Sequence, residues 1–104
     1  MDLAIKNYQA QETDRGLAYE ADILLGDTKI GSLENPGDGS YTRIYITADK
    51  EAFNQKMNEH FTTLGWDTTD EEEYALHYTF AEHLLDIHDN GEVSEEYKKM
   101  GFLH

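Results

Sequence analysis

The chain has 104 residues and carries 22 Asp and Glu against 8 Lys and Arg, which gives a formal net charge of −14. A length of about 100 residues predicts a single domain, residues 1–104. The absence of cysteine excludes disulfides, thiolate metal ligands and a cysteine nucleophile. No apolar run approaches the ~20 residues of a membrane span, and the N-terminus lacks the pattern of an export signal. We therefore expect a cytoplasmic protein. Because its net charge is strongly negative, we expect it to bind neither anionic lipid nor nucleic acid directly.

The first strands are predicted from side chains that alternate between apolar and polar. This two-residue period runs through residues 17–25, where acidic residues fall opposite the apolar ones. Gly26-Asp27 then leads into residues 28–33, and glycine in the first position of a two-residue turn favours a type II′ hairpin. A first strand is predicted at residues 3–8, linked to the second by the polar segment 9–16.

A fourth strand follows a long turn. Residues 34–40 consist almost entirely of residue types that favour turns. Residues 41–47 alternate again, with isoleucines on one face and larger polar or aromatic side chains on the other. The two sets are Ile44 and Ile46, and Tyr41, Arg43 and Tyr45. Because aromatic side chains often anchor interfaces, the tyrosines of this strand are candidates for partner binding.

From residue 48 the sequence has the period of a helix. The helix is predicted to end at Gly65, and Thr47 or Asp49 is its predicted N-cap. Its apolar stripe comprises Phe53, Met57, His60, Phe61 and Leu64.

Two further helices have their own start and stop signals. Thr68 and Thr69 each have a glutamate three residues on, which is the capping-box arrangement. The helix that they begin is predicted to run to about Asp89, where Asn90-Gly91 ends it. A last short helix is predicted from Ser94 to Met100.

These elements predict an α+β fold. A four-stranded antiparallel sheet (about residues 2–47) has one polar face, and two main helices cover the other face, followed by a short terminal helix. On a helical wheel the second helix is apolar over a broad arc. Its remaining side carries an acidic stripe formed by Glu71, Glu82, Asp86 and Asp89.

Residue patterns typical of catalysis or metal binding are missing. The sequence contains neither HExxH nor HxxEH, and we predict no catalytic residue, no metal and no cofactor. His60, His77 and His88 are interpreted as core or boundary side chains with hydrogen-bond partners. A small hydrolase or metal-dependent enzyme that uses these histidines or His83 remains an alternative.

The segment 86–93 has some features of a calcium-binding loop. It resembles the start of an EF-hand loop, with an acid first and a glycine sixth. His88 in the third position and Tyr97 in the twelfth depart from that pattern. Because a helix that ends at Asn90-Gly91 explains the same residues, we interpret the segment as a helix C-terminus.

The acidic residues are concentrated in the C-terminal part of the chain, where residues 67–104 hold 11 of them against Lys98 and Lys99. Acids at helix starts interact favourably with the helix dipole and keep a small protein soluble. The acidic stripe is less well explained in this way, since neighbouring like charges cost a few tenths of a kcal/mol each. Such a surface can imitate a row of phosphates. The predicted partner-binding residues are Asp70, Glu71, Glu72, Glu73, Glu82, Asp86, Asp89, Tyr41 and Tyr45.

A turn-rich segment, residues 19–45, combines the strand Glu20–Ile23, the hairpin Gly26–Gly31 and the loop Asn35–Ser40. It resembles a group of small uncharacterised bacterial and phage proteins in which a strand, a DGKKVG-type hairpin and an NDGxGG-type loop precede helices. Pro36 and Ser40 depart from the usual loop, and the resemblance implies no active site. In size, charge and lack of an enzymatic motif, the chain is also similar to phage DNA-mimic inhibitors, including anti-CRISPR and anti-restriction proteins.

Two functions are predicted on this basis. In the first, a non-enzymatic inhibitor or binding module docks its acidic helical face on the basic nucleic-acid-binding surface of a protein such as a Cas nuclease or a restriction enzyme. It would act in the host cytosol if it is phage-encoded. In the second, an interaction module uses its acidity only for solubility and contacts partners through its sheet edge or sheet face. Salt should weaken the first kind of contact and change the second little.

Overall fold

The computed structural model describes residues 2–104 and confirms the α+β fold. Four antiparallel strands lie in the order β1-β2-β3-β4, so that each strand pairs with its neighbours along the chain. The strands are β1 (Leu3–Thr13), β2 (Gly16–Leu25), β3 (Thr28–Asn35) and β4 (Arg43–Ile46). The helices are α1 (Lys50–Thr63), α2 (Glu73–Asn90) and α3 (Glu95–Met100).

The core lies between one face of the sheet and the helices. Alternate residues of the strands, such as Ile23 and Leu33, are fully buried there, as their two-residue period predicts. They pack against Phe53 and Phe61 of α1 and Phe80 of α2. Because aromatic rings bury large areas, these phenylalanines supply much of the apolar contact that holds the helices to the sheet.

The opposite face of the sheet carries charges of both signs. Lys6 lies opposite Asp22 in the β1–β2 register, and Arg43 lies opposite Glu34 in the β3–β4 register. Lys29 also pairs with Asp22 at 3.1 Å, whereas Glu20 lies opposite Glu34. Three bases thus accompany three acids on this face, and the excess negative charge of the chain is carried elsewhere.

The predicted polar link between the first two strands is wrong. Residues 9–13 continue β1, and the turn between β1 and β2 contains only residues 14 and 15. Pairing with β2 satisfies the backbone groups on one side of this polar segment, although its side chains give no apolar alternation. A bulge at Asn7, whose φ is 58°, shifts the register between Lys6 and Gln9. Because of this bulge, the side chain of the following residue, Tyr8, lies on the same face of the sheet as the buried side chains of β1.

The hairpin between β2 and β3 forms as predicted, with Leu25 opposite Thr28 and a φ of 61° at Gly26. The fourth strand is shorter than the predicted 41–47 and begins at Arg43. Gly31 is required where β3 meets β4. A Cβ atom there would lie 2.2 Å from the backbone oxygen of Tyr45.

The helix ends differ in how far they follow the sequence signals. α3 has the predicted Ser94 cap, which accepts a hydrogen bond from the backbone N–H of Tyr97. α2 ends at Gly91 as predicted, but it begins at Glu73 and has no side-chain cap. The predicted capping boxes at Thr68 and Thr69 are therefore wrong. Asp67 instead accepts bonds from the backbone and hydroxyl of Thr69, a local turn that competes with a helix start. The side chain of Asp49, the N-cap residue of α1, makes no capping bond.

Across residues 2–104, no helix combines the length and apolar character needed to cross a membrane.

Candidate binding surface

Glu82, in the middle of α2, lies against the sheet and is hydrogen-bonded to three hydroxyl groups. The hydroxyls of Tyr19 of β2 and Thr42, just before β4, each lie 3.0 Å from Oε1 and are also hydrogen-bonded to each other. Tyr97 of α3 donates to Oε2 at 3.3 Å. The carboxylate thus joins α2 to two parts of the sheet and to α3.

These donors are neutral, so they leave the negative charge of this region uncompensated. The ion pairs that Lys and Arg form within residues 2–104 involve Asp2, Asp22 and Glu95, and none involves Glu82. Burial, with the nearby Glu82 charge, raises the pKa of the Tyr97 hydroxyl to about 12. Burial and the same charge also raise the pKa of the Tyr19 hydroxyl strongly. Both phenols therefore remain donors at neutral pH.

Six of the seven tyrosines form a surface around this carboxylate. The rings of Tyr8 and Tyr19 are 5.9 Å apart. On the other side, Tyr41 lies 5.4 Å from Tyr74 and 6.0 Å from Tyr78. Tyr78 lies one turn before Glu82 on α2, and burial and the Glu82 charge raise the pKa of its hydroxyl. We call this the tyrosine–carboxylate surface; it comprises Tyr8, Tyr19, Tyr41, Tyr74, Tyr78 and Tyr97 with Glu82, Asp86 and Asp89.

Part of this surface is concave. A cavity of about 220 Å³, the α2 pocket, lies between β1, α2 and α3. Its lining includes the rings of Tyr8, Tyr19 and Tyr97 and the carboxyl-bearing residues Glu82, Asp86 and Asp89. The pocket therefore combines aromatic rings with negative charge.

The predicted acidic stripe does not form one exposed side of α2. Glu71 precedes the helix, and one of its oxygens lies 3.6 Å from Nε2 of His104. Asp86 is buried, with 8% of its surface exposed, and its carboxylate accepts hydrogen bonds from the side chain of Asn90 at 2.7 Å and from the backbone N–H of Ser94 at 2.6 Å. Burial opposes ionisation of Asp86, but these bonds outweigh it and lower its pKa. Asp89 alone of the four is exposed.

The other predicted acids are exposed at the opposite end of the helix. Asp70, Glu72 and Glu73 lie at or just before its N-terminus. Residues 73 and 89 are 16 positions apart, which corresponds to about 24 Å along a helix. The exposed acids among the predicted binding residues are therefore divided between the two ends of α2.

The two predicted interface tyrosines have different surroundings. Tyr41 lies before β4 and packs against tyrosines of α2, so it belongs to the tyrosine–carboxylate surface. The prediction that it extends the exposed face of the strand is wrong. Tyr45 is 45% exposed and lies opposite Ser32, outside that surface. Arg43 connects them, with its guanidinium carbon 5.4 Å from the centre of the Tyr41 ring.

The histidines lie among aromatic rings rather than at a ligand cluster. His60 Nε2 is 2.9 Å from Nδ1 of His83, and His83 is fully buried. Burial and the neighbouring His60 lower the pKa of His83 to about 4. His77 packs against Phe53, whereas His88 is exposed. Within residues 2–104, no three His, Asp or Glu side chains are grouped so that they could hold a metal ion.

Sequence reasoning missed Tyr8, Tyr19 and Tyr97 as members of one site. No local pattern relates them, because Tyr19 and Glu82 are 63 residues apart in the chain. The indications available were an unusual number of tyrosines and the absence of a lysine that could offset the carboxylates of α2.

Comparisons of the chain with protein-family models, with curated proteins and with solved structures gave no match.

Proposed function

We propose that the protein is a non-enzymatic binding module that docks through its tyrosine–carboxylate surface on a basic surface of a protein partner. The observation that carries this proposal is the unequal distribution of charge on the two sides of the molecule. Carboxylates around α2 lie next to exposed tyrosine rings and have no Lys or Arg partner among residues 2–104. On the outer face of the sheet, bases accompany most of the acids: Lys6 and Lys29 lie beside Asp22, and Arg43 lies opposite Glu34.

Tyrosines and unpaired carboxylates are complementary to a positively charged partner. Tyr8, Tyr41 and Tyr74 are each between 37% and 41% exposed. Such rings offer apolar area and a polar tip, and they are frequent among the residues that dominate binding energies. Uncompensated anions around them speed association with a basic surface and favour it over other surfaces.

The class of partner that we propose is a nucleic-acid-binding protein, such as a Cas nuclease or a restriction enzyme, whose basic surface the module would occupy in place of DNA. This choice is supported by the compositional similarity to phage DNA-mimic inhibitors and by the dependence of DNA-binding proteins on Lys and Arg contacts to phosphates. The module would then act as an inhibitor.

The test is binding to purified enzymes of these classes, measured with and without DNA and across a salt series. We expect competition with DNA and weaker binding as salt rises. Reversal of two exposed charges, Asp89→Lys in this surface and Glu72→Lys two residues before its Tyr74, should reduce affinity at least about tenfold. Glu82 and Asp86 are left unchanged because they accept internal hydrogen bonds.

A matched control variant is Glu20→Lys with Asp27→Lys, which changes net charge equally but lies on β2 and its turn. It should retain most of the affinity. Equal losses in the two double variants would contradict a role for this surface, and binding that DNA does not reduce would contradict the inhibitor proposal.

A second candidate is an interaction module that adds a strand of a partner to β1. It is favoured by the position of β1 at the edge of the sheet, where one side of its eleven residues has no neighbouring strand. Exposed edges of this kind accept extended peptides through backbone hydrogen bonds. Such binding would change little with salt, so the salt series separates the two candidates.

A further inference from the structure

We infer that the α2 pocket receives the guanidinium group of an arginine side chain of the partner. This inference rests on the proposed function and specifies the chemistry of the central contact. It concerns the cavity lined by Tyr8, Tyr19 and Tyr97 with Glu82, Asp86 and Asp89.

The first argument is size and shape. The cavity holds about 220 Å³, which corresponds to roughly seven water molecules at about 30 Å³ each. That volume accommodates a flat guanidinium and part of its aliphatic stem. Tyr8 is 39% exposed, and its ring lies 5.9 Å from that of Tyr19 at an angle of 33°. A planar cation can stack on such a ring.

The second argument is which carboxylate oxygens remain available. Both oxygens of Glu82 are already hydrogen-bonded to hydroxyl groups, and both oxygens of Asp86 are occupied by Asn90 and Ser94. These two carboxylates supply charge but few open acceptor positions. Asp89 is exposed, and among residues 2–104 no side chain or backbone group donates a hydrogen bond to its carboxylate. One open carboxylate beside a ring matches the two parallel N–H donors of arginine.

The same arrangement disfavours lysine. An ammonium group is strongly hydrated and carries three N–H donors, which must find acceptors when it leaves water. The pocket has too few open acceptors to replace that hydration. A guanidinium is more weakly hydrated and can place its flat face on a ring. The chain contains such a contact itself, between Arg43 and the ring of Tyr41.

The experiment compares two synthetic peptides of equal charge, nona-arginine and nona-lysine, by titration calorimetry with the full chain. We expect the arginine peptide to bind at least about fivefold more tightly, as a cation–π contact of about 1 kcal/mol would give. Amide NMR shifts should concentrate around Tyr8 and Asp89. Tyr8→Ala and Asp89→Asn should each reduce the preference for arginine to less than about twofold.

Glu20→Gln is the control for Asp89→Asn, because it removes one negative charge on the outer face and should leave the preference intact. Asp89→Asn also serves as a second variant should Tyr8→Ala fail to fold. Equal affinities of the wild type for the two peptides would overturn the pocket inference while leaving the docking proposal standing. Absence of binding by both peptides would overturn the two together.

Discussion

Tyr19 on β2 and Glu82 on α2 are joined by a hydrogen bond of 3.0 Å that crosses from the sheet to the helix. The same carboxylate accepts a bond from Thr42, which is fully buried. An acidic residue that sequence analysis assigned to an exposed stripe therefore helps to hold the two layers of the fold together. Its charge is nevertheless directed toward a pocket on the surface.

Replacement of Glu82 by alanine should lower the free energy of unfolding by about 2 kcal/mol, because the hydrogen-bonded pair of Thr42 and Tyr19 hydroxyls loses its carboxylate acceptor. Urea unfolding followed by circular dichroism measures the change. Asp89→Ala, about two turns further along the same helix, should change stability by less than about 0.5 kcal/mol. Similar losses in the two variants would show that the bonds of Glu82 contribute nothing special to stability.

Asp86→Ala should loosen the attachment of α3, since Asp86 accepts the backbone N–H of Ser94 at the start of that helix. A charged acceptor of this kind contributes about 1.5–3 kcal/mol. The substitution should therefore accelerate amide hydrogen exchange at Tyr97 and its neighbours more than it accelerates exchange in the sheet. Glu92→Ala, an exposed residue of the same connection, is the control. Uniform acceleration across the whole chain would contradict a local role.

Stability should fall as the pH drops from 6.5 toward 4. The pKa of His83 is about 4 in the folded chain, below its ordinary value of 6.5. Between these values the unfolded chain binds a proton that the folded chain does not bind, so the unfolded state gains stability. The loss is on the order of 3 kcal/mol when complete. Burial also lowers the pKa of His60, which adds a loss of the same sign. Urea unfolding at pH 7.5, 6 and 5 measures it.

The control for this pH dependence is a pair of variants. His83→Gln should reduce the loss of stability between pH 7.5 and 5, because it removes the buried titrating group. This holds whatever its effect on stability at pH 7.5. His88→Gln removes an exposed histidine and should leave the decline unchanged. Wild-type stability that stays constant from pH 7.5 to 5 would contradict the buried neutral state of the His60–His83 pair.

Gly31→Ala should destabilise the protein by about 3 kcal/mol, near the upper end of the usual cost of overpacking. The new Cβ atom would lie 2.2 Å from the backbone oxygen of Tyr45, so β3 and β4 would have to separate. Ser32→Ala, at the next position of β3, should cost less than about 1 kcal/mol. Comparable melting temperatures for the two variants would be inconsistent with this close contact.

Elements with strong local signals were predictable. The hairpin at Gly26, the end of α2 at Gly91 and the Ser94 cap of α3 each depend on residues that are close neighbours in the sequence. The start of α2 was not predictable, because Thr68 and Thr69 can satisfy backbone groups in a turn as well as in a helix. The length of β1 was missed for a similar reason. Its polar residues are held in the sheet by pairing with β2, which no local pattern reveals.

The sequence alone determined the order and type of the elements, since backbone preference and apolar period act over a few neighbouring residues. It also determined the excess of negative charge. Only the tertiary structure decided which acids meet solvent. Whether a side chain of α2 is covered depends on β2 and α3, which bring hydroxyl donors from Tyr19 and Tyr97 to Glu82. Contacts between residues so distant along the chain follow from the packing of whole elements, and the tyrosine–carboxylate surface consists of such contacts.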